Sequence, residues 1–305
     1  MSRLVGPIIF VIGLAMLLAT VTRVALGLGD PGLVIMLVGL VALGVSFIPR
    51  PAPDADAPAP LSFADKLQGI FLEPTRVFQN LRPHPIWVGG FLVIALFSLA
   101  YQVAFTQRVT PERIVTKTVD NLVERGRLTA EEAPAMRERQ IERAKYPFRQ
   151  YGVYASQVAG LFILMIFLAL LYLLCVTMVG GDINYWQALS VAVYASLPPV
   201  VITGVLNLIL LFIQSSDEID VIRGQRGLVR ADLSLFFSPV SNPLLYTVAS
   251  FLGLFTIYGW WLTTKGLQNT GARVSTAAAW GIVILLWALG VGVVAFASSL
   301  VPGIV

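Results

Sequence analysis

Charge is scarce in this chain. Of its 305 residues only 12% are Asp, Glu, Lys or Arg, while 57% are hydrophobic. Soluble globular chains carry about 25% charged residues, so these charges are too few to cover a soluble surface. Cysteine and histidine each occur once, as Cys175 and His84. One cysteine excludes an internal disulfide, and the two singletons together exclude a His/Cys metal cluster. No G-x-S-x-G, H-E-x-x-H or Gly-rich phosphate loop is present. The formal net charge of +4 is dispersed over several loops without a polybasic run, so nucleic acid is excluded as a partner. No catalytic, cofactor-binding or metal-binding residue is assigned, and no cofactor is implied.

Long apolar runs take the place of these features. A bilayer core about 30 Å thick is crossed by about 20 apolar helical residues. Seven stretches reach or approach that length: Leu4–Leu26, Leu33–Ile48, Ile86–Phe105, Val158–Val179, Ala188–Ile213, Leu244–Thr263 and Ala277–Leu300. Six contain no Asp, Glu, Lys or Arg; the first holds Arg23 near its end, within reach of lipid headgroups. Leu33–Ile48 is the shortest. The pattern predicts an all-α, polytopic transmembrane helical bundle of about seven spans, in contact with the lipid bilayer. The first run is longer than the about 7–15 residues of a signal-peptide core, and a second follows at once. An uncleaved hairpin is expected, turning between Gly27 and Gly32.

Three segments follow from composition. Residues 1–49 form the hairpin, residues 50–61 a linker, and residues 62–300 a five-span membrane domain with a charged helical insertion at 106–150. The linker sequence PRPAPDADAPAP (Pro49–Pro60) has too little apolar content to pack, and is expected to be exposed and mobile. Beyond it, Ser62 and Asp65 fit an N-cap with an acidic first turn. Phe63, Leu67, Ile70 and Phe71 fall on one helical stripe, and Val77, Phe78 and Leu81 resume a stripe after Pro74. With Lys66, Arg76 and Arg82 interleaved, these helices are expected to lie in the membrane interface; the alternative is packing against the chain's own spans.

Within 106–150, Thr110-Pro111 predicts an N-cap followed by proline at the first helical position, and Gly126 a stop. Thr129 and Glu132 have the spacing of a capping box for a second helix. Pro198-Pro199 lies near the middle of the fifth run and predicts a kink or break there. Ala188, Ala192 and Ser196 recur every four residues, as do Ala155/Ala159 and Ser156/Gly160, a spacing that suits close helix packing. His84, between Pro83 and Pro85, has no carboxylate or nucleophile nearby in sequence. Asp182, after Gly180-Gly181, suits the start of the next helix.

The segments FLEPTRVFQNLRPHPIW (Phe71–Trp87), Gly180-Gly181 followed by YWQALSVAVYASLPPVV (Tyr185–Val201), and LFTIYGWWLTTKGLQ (Leu254–Gln268) resemble the bacterial branch of the Yip domain family, the Ypt/Rab-interacting membrane proteins. The resemblance covers roughly residues 62 to 300 and implies an all-helical five-span domain with a cytosolic N-terminal approach and no catalytic residues. Eukaryotic members are associated with small GTPases and vesicle traffic, a role that does not transfer simply to a bacterium-like chain. The hairpin and the 106–150 insertion depart from the minimal pattern. What the resemblance implies is a non-enzymatic membrane organiser or adaptor in a bacterial cytoplasmic membrane, with other membrane proteins or a second copy as partners. The competing reading is a channel or transporter for small apolar or lipid-like solutes, which would need a polar cavity around Pro198-Pro199, Thr203 and Asn207. An intramembrane enzyme would need a cluster of His, Asp, Glu or Ser that the chain does not offer.

Orientation is open on sequence grounds. Seven basic residues (Arg3, Arg50, Lys66, Arg76, Arg82, Lys265 and Arg273) share one face of a seven-span layout, and ten lie in the 106–150 segment on the other. Positive-inside counting therefore places that segment in the cytoplasm, whereas the resemblance places it outside. Its basic residues are interleaved with seven acids, which leans toward the second arrangement.

Overall fold

The computed structural model describes residues 5–22, 24, 28–49, 56–144, 147–237 and 243–300. Among these residues the fold is helical, with two isolated β-bridges and no strand. Four helices are long and apolar enough to cross a membrane: α5 (Val88–Val109), α8 (Pro147–Met178), α9 (Tyr185–Ile213) and α13 (Thr276–Leu300). Two shorter apolar helices, α1 (Val5–Val21) and α2 (Gly29–Ser46), precede them. Leu, Ile, Val and Phe side chains project from all of these helices, which suits a hydrocarbon solvent. The chain divides into two compact units. One comprises Met1–Pro49, Ser98–Leu164 and Asn207–Leu228; the other comprises Arg50–Phe97, Met165–Leu206 and Val229–Val305.

In the first unit α1 and α2 pack as a hairpin, but Gly29–Gly32, expected in its turn, form the first turn of α2, and residues 25–27 lie outside the described residues. Glycine decides how closely they approach. A Cβ at Gly6 would lie 2.5 Å from the Leu43 backbone nitrogen, and one at Gly32 2.8 Å from that of Leu17; Gly13 and Gly39 are tighter still. Backbone thus meets backbone at sevenfold spacing along each helix, the close approach that small residues allow in membranes. A second cluster gathers Tyr101, Phe105 and Val109 of α5 with Leu211, Ile219 and Val221. Helices α6 (Pro111–Glu124) and α7 (Ala133–Ala144) make a hairpin, closed by an Arg137–Asp120 ion pair at 2.7 Å.

In the second unit α3 (Phe63–Leu72) starts as the sequence predicts: Ser62 Oγ accepts from the Asp65 amide at 3.1 Å. Helix α4 (Pro74–Leu81) carries Pro74 in its first turn. Its stripe is not interfacial. Val77, Phe78 and Leu81 are buried, and α4 lies along α12 (Leu254–Thr270), with the Thr270 hydroxyl donating to the Phe78 carbonyl at 3.2 Å. Gly266 makes room for Phe78 and Val191, because a Cβ there would stand 2.6 Å from Val191 Cγ1. On α3 the stripe divides, with Ile70 buried and Phe63 exposed.

Two expectations about the spans change. Leu244–Thr263 is not one helix but two, α11 (Pro243–Ser250) and α12, parted at Phe251–Gly253. The break is stabilised from outside the run. Leu254 N donates to Ala231 O at 2.9 Å, Leu233 N donates to Leu252 O at 3.0 Å, and the Trp287 indole donates to Phe251 O at 3.2 Å. Backbone groups freed at membrane depth persist only with such protein partners. Conversely, of the kink or break expected at Pro198-Pro199 the break does not occur, and α9 continues from Tyr185 to Ile213. Leu197 and Pro198 are buried at that point, and the Thr203 hydroxyl donates to Pro199 O at 2.7 Å.

Candidate functional site

The polar end of the second unit is built on α4 and its approach. Asn80, buried on α4, donates from Nδ2 to Ala59 O and accepts at Oδ1 from Leu61 N, both at 3.0 Å. His84 Nε2 lies 2.7 Å from Pro58 O. A carbonyl only accepts, so that contact places the imidazole proton on Nε2. The described end of the linker is therefore exposed but anchored at two consecutive carbonyls; residues 50–55 lie outside the described residues. Two further bonds join this end. Gln187 Nε2 donates to Arg82 O at 2.8 Å, while Gln187 and Asn184 exchange backbone-to-side-chain bonds at 2.9 and 3.0 Å. Asn184, not Asp182, thus starts α9; the N-x-x-Q spacing was the available signal. Lys66 is the one buried charged residue among the described residues, and burial pushes its ammonium pKa down.

Beside α4 lies a shallow recess lined by Arg82, Gln268, Gly271, Ala272, Arg273, Val274 and Ser275. Its floor is the turn between α12 and α13. Gly271 and Ala272 leave α12 in extended conformation, and Ala272 exchanges both backbone bonds with Asp182 at 2.7 and 2.9 Å. Arg273 then takes φ 57°, a left-handed conformation costly for a residue with a Cβ. Ser275 Oγ accepts from Ala278 N at 3.2 Å and so caps α13. The Gln268 amide nitrogen is buried without a hydrogen-bond partner. The sequence does not reveal this recess, because Arg82 and Arg273 are 191 positions apart.

The polar end of the first unit is held by arginines. Arg113 donates to the carbonyls of Ser216, Asp217 and Ile219, the latter two at 3.0 and 3.4 Å, and Arg108 donates to Gln214 O at 2.7 Å. Tyr101 donates to Gly224 O at 2.6 Å. The predicted Thr129–Glu132 capping box forms, and its hydrogen bonds hold the Glu132 carboxyl below the usual range. Gly126 ends α6 with φ 66°. Thr110 departs from expectation: it precedes Pro111 with φ 66° and its hydroxyl caps nothing.

Of the residues singled out in the spans, Cys175 is buried in α8. Asn207 Oδ1 accepts from Leu228 N at 2.7 Å, and Thr203 bonds within its own helix. Both polar groups therefore have protein partners. Ala188 and Ala192 are buried as their spacing suggests, and Ala159 is too, whereas Gly160 is exposed. No three His, Cys, Asp or Glu residues gather in metal-binding geometry among the described residues.

No curated protein and no solved structure matches the chain. The family model described as Yip1 domain matches residues 69–297, from within α3 to near the end of α13. The match takes in the three segments whose pattern of proline, glycine and aromatic residues resembled that family, and it covers most of a helical, multi-pass membrane protein; the chain belongs to the Yip1 domain family.

Proposed function

We propose that this protein is a non-enzymatic organiser or adaptor of a bacterial cytoplasmic membrane, acting through contacts with other membrane proteins or with a second copy of itself. The observation that carries this reading is how several polar side chains in and around the spans are engaged, the buried hydroxyls of Tyr185, Ser190 and Thr264 being exceptions. Tyr101, Ser196, Thr203 and Asn207 each bond to the chain's own backbone, and Arg108 and Arg113 hold the turn that follows α9. Groups that line a transport path or catalyse a reaction face a cavity instead. In this reading residues 62–300 are the working membrane domain, and residues 1–49 are an added anchor behind the linker at 50–61. The α6–α7 hairpin offers the partner surface, because its outer face carries exposed Arg139 and Glu142.

Photo-crosslinking groups introduced at Arg139 and Glu142, used in intact membranes, test the proposal. Discrete adducts with a membrane protein or with a second copy support it. Purified protein that conducts small solutes in liposomes and forms no adduct overturns it in favour of a channel or transporter.

A further inference from the structure

We infer that the recess beside α4 binds the phosphate of an anionic lipid headgroup. Arg82 and Arg273 both line it, and both side chains are exposed and free of any ion pair among the described residues. Asp182, which meets Ala272 through its backbone, leaves both guanidinium groups unpaired. Two planar cations on one concave surface match a phosphate, whose oxygens accept paired N–H donors. Gln268 also lines the recess, and its buried amide nitrogen has no protein partner.

The position selects a lipid over a soluble anion. The recess opens at the turn from which α13 enters its apolar span at Thr276. The two helices that meet at this turn also carry exposed apolar side chains, Ile257 and Trp261 on α12 and Ile284 and Leu285 on α13, that suit acyl chains. Basic pockets between helix ends at the bilayer surface are where charged headgroups settle. The backbone of Arg273 supplies a further handle. A glycine would hold φ 57° without the penalty that the arginine bears there.

That last feature gives a clean test. Arg273→Gly removes the cation while relieving the backbone, and Arg82→Gln removes the other cation while keeping the carbonyl that Gln187 holds. The full-length protein and both variants are purified in mild detergent. Binding of phosphatidylglycerol, phosphatidylcholine and inorganic phosphate is measured by native mass spectrometry, with thermal half-life recorded in parallel. The inference requires wild type to retain phosphatidylglycerol over phosphatidylcholine. It further requires each variant to lose at least tenfold in phosphatidylglycerol affinity, with the Arg273→Gly half-life equal to or longer than wild type. Unchanged phosphatidylglycerol binding in the double variant overturns it. So does inorganic phosphate displacing the lipid at equal concentration, or an acidic peptide such as polyglutamate binding where the lipid does not.

Discussion

Replacing Asn80 by Ala isolates the anchoring of the linker. The side chain makes two bonds, to Ala59 O and from Leu61 N, and is itself buried. A net contribution of about 0.5–1.5 kcal/mol per bond gives a loss of about 1–3 kcal/mol. Because both bonds fasten one segment, the loss falls on a local opening rather than on the whole bundle. An acid-specific protease that cuts after Asp56 reads that opening directly. Where reclosing outpaces cleavage, the rate follows the open population and rises roughly 5- to 150-fold. Global thermal stability in detergent moves little by comparison. Gln79→Ala on the same helix is the control, since its bond to Asn269 is long, at 3.3 Å, and exposed. Cleavage of Asn80→Ala at the wild-type rate would refute the reasoning, because the linker would then be held by something other than those two bonds.

Ala192→Leu should destabilise by about 1–3 kcal/mol through overpacking, since Ala192 is buried, while Ile209→Leu on the exposed face of α9 should be near neutral; thermal half-lives in detergent compare the two. Deleting Met1–Pro49 should leave an inserted membrane domain of unchanged orientation, because α1 and α2 leave together; reporter fusions to the 106–150 segment check it. Lys66→Met should stabilise the protein at neutral pH. The folded-state pKa of Lys66 is lowered, so the unfolded chain holds the proton more tightly; the penalty is full below the folded pKa and fades as pH rises toward 10.5. Stability of wild type relative to the variant should therefore climb with pH through that window in parallel unfolding series. His84→Ala and Cys175→Ser, made separately, should keep cellular function wherever a deletion has a phenotype, with immunoblots of membrane abundance separating lost function from lost protein.

Several local features were legible before any coordinates. The Ser62–Asp65 start of α3, the Thr129–Glu132 box and the Gly126 stop rest on bonds between residues a few positions apart, so spacing alone specifies them. Features that depend on a distant partner were not. Thr110 fits a cap by residue type, yet its φ of 66° turns it away from that role. The recess joins Arg82 to Arg273 across most of the domain.

By itself the sequence determined that this chain is helical and lives in a bilayer. Runs of about 20 apolar residues without ionisable groups have no other low-energy solvent, and a backbone in hydrocarbon must satisfy itself within each helix. Only the tertiary structure decided which apolar faces meet protein and which meet lipid. A 3.6-residue stripe shows that a face is apolar but not what covers it, so α4 could be placed against α12 only once both were in space. Helix continuity was decided there as well. Pro198-Pro199 leaves α9 intact amid close packing, whereas proline-free Phe251–Gly253 breaks because Ala231, Leu233 and Trp287 supply the bonds that a helix would have made.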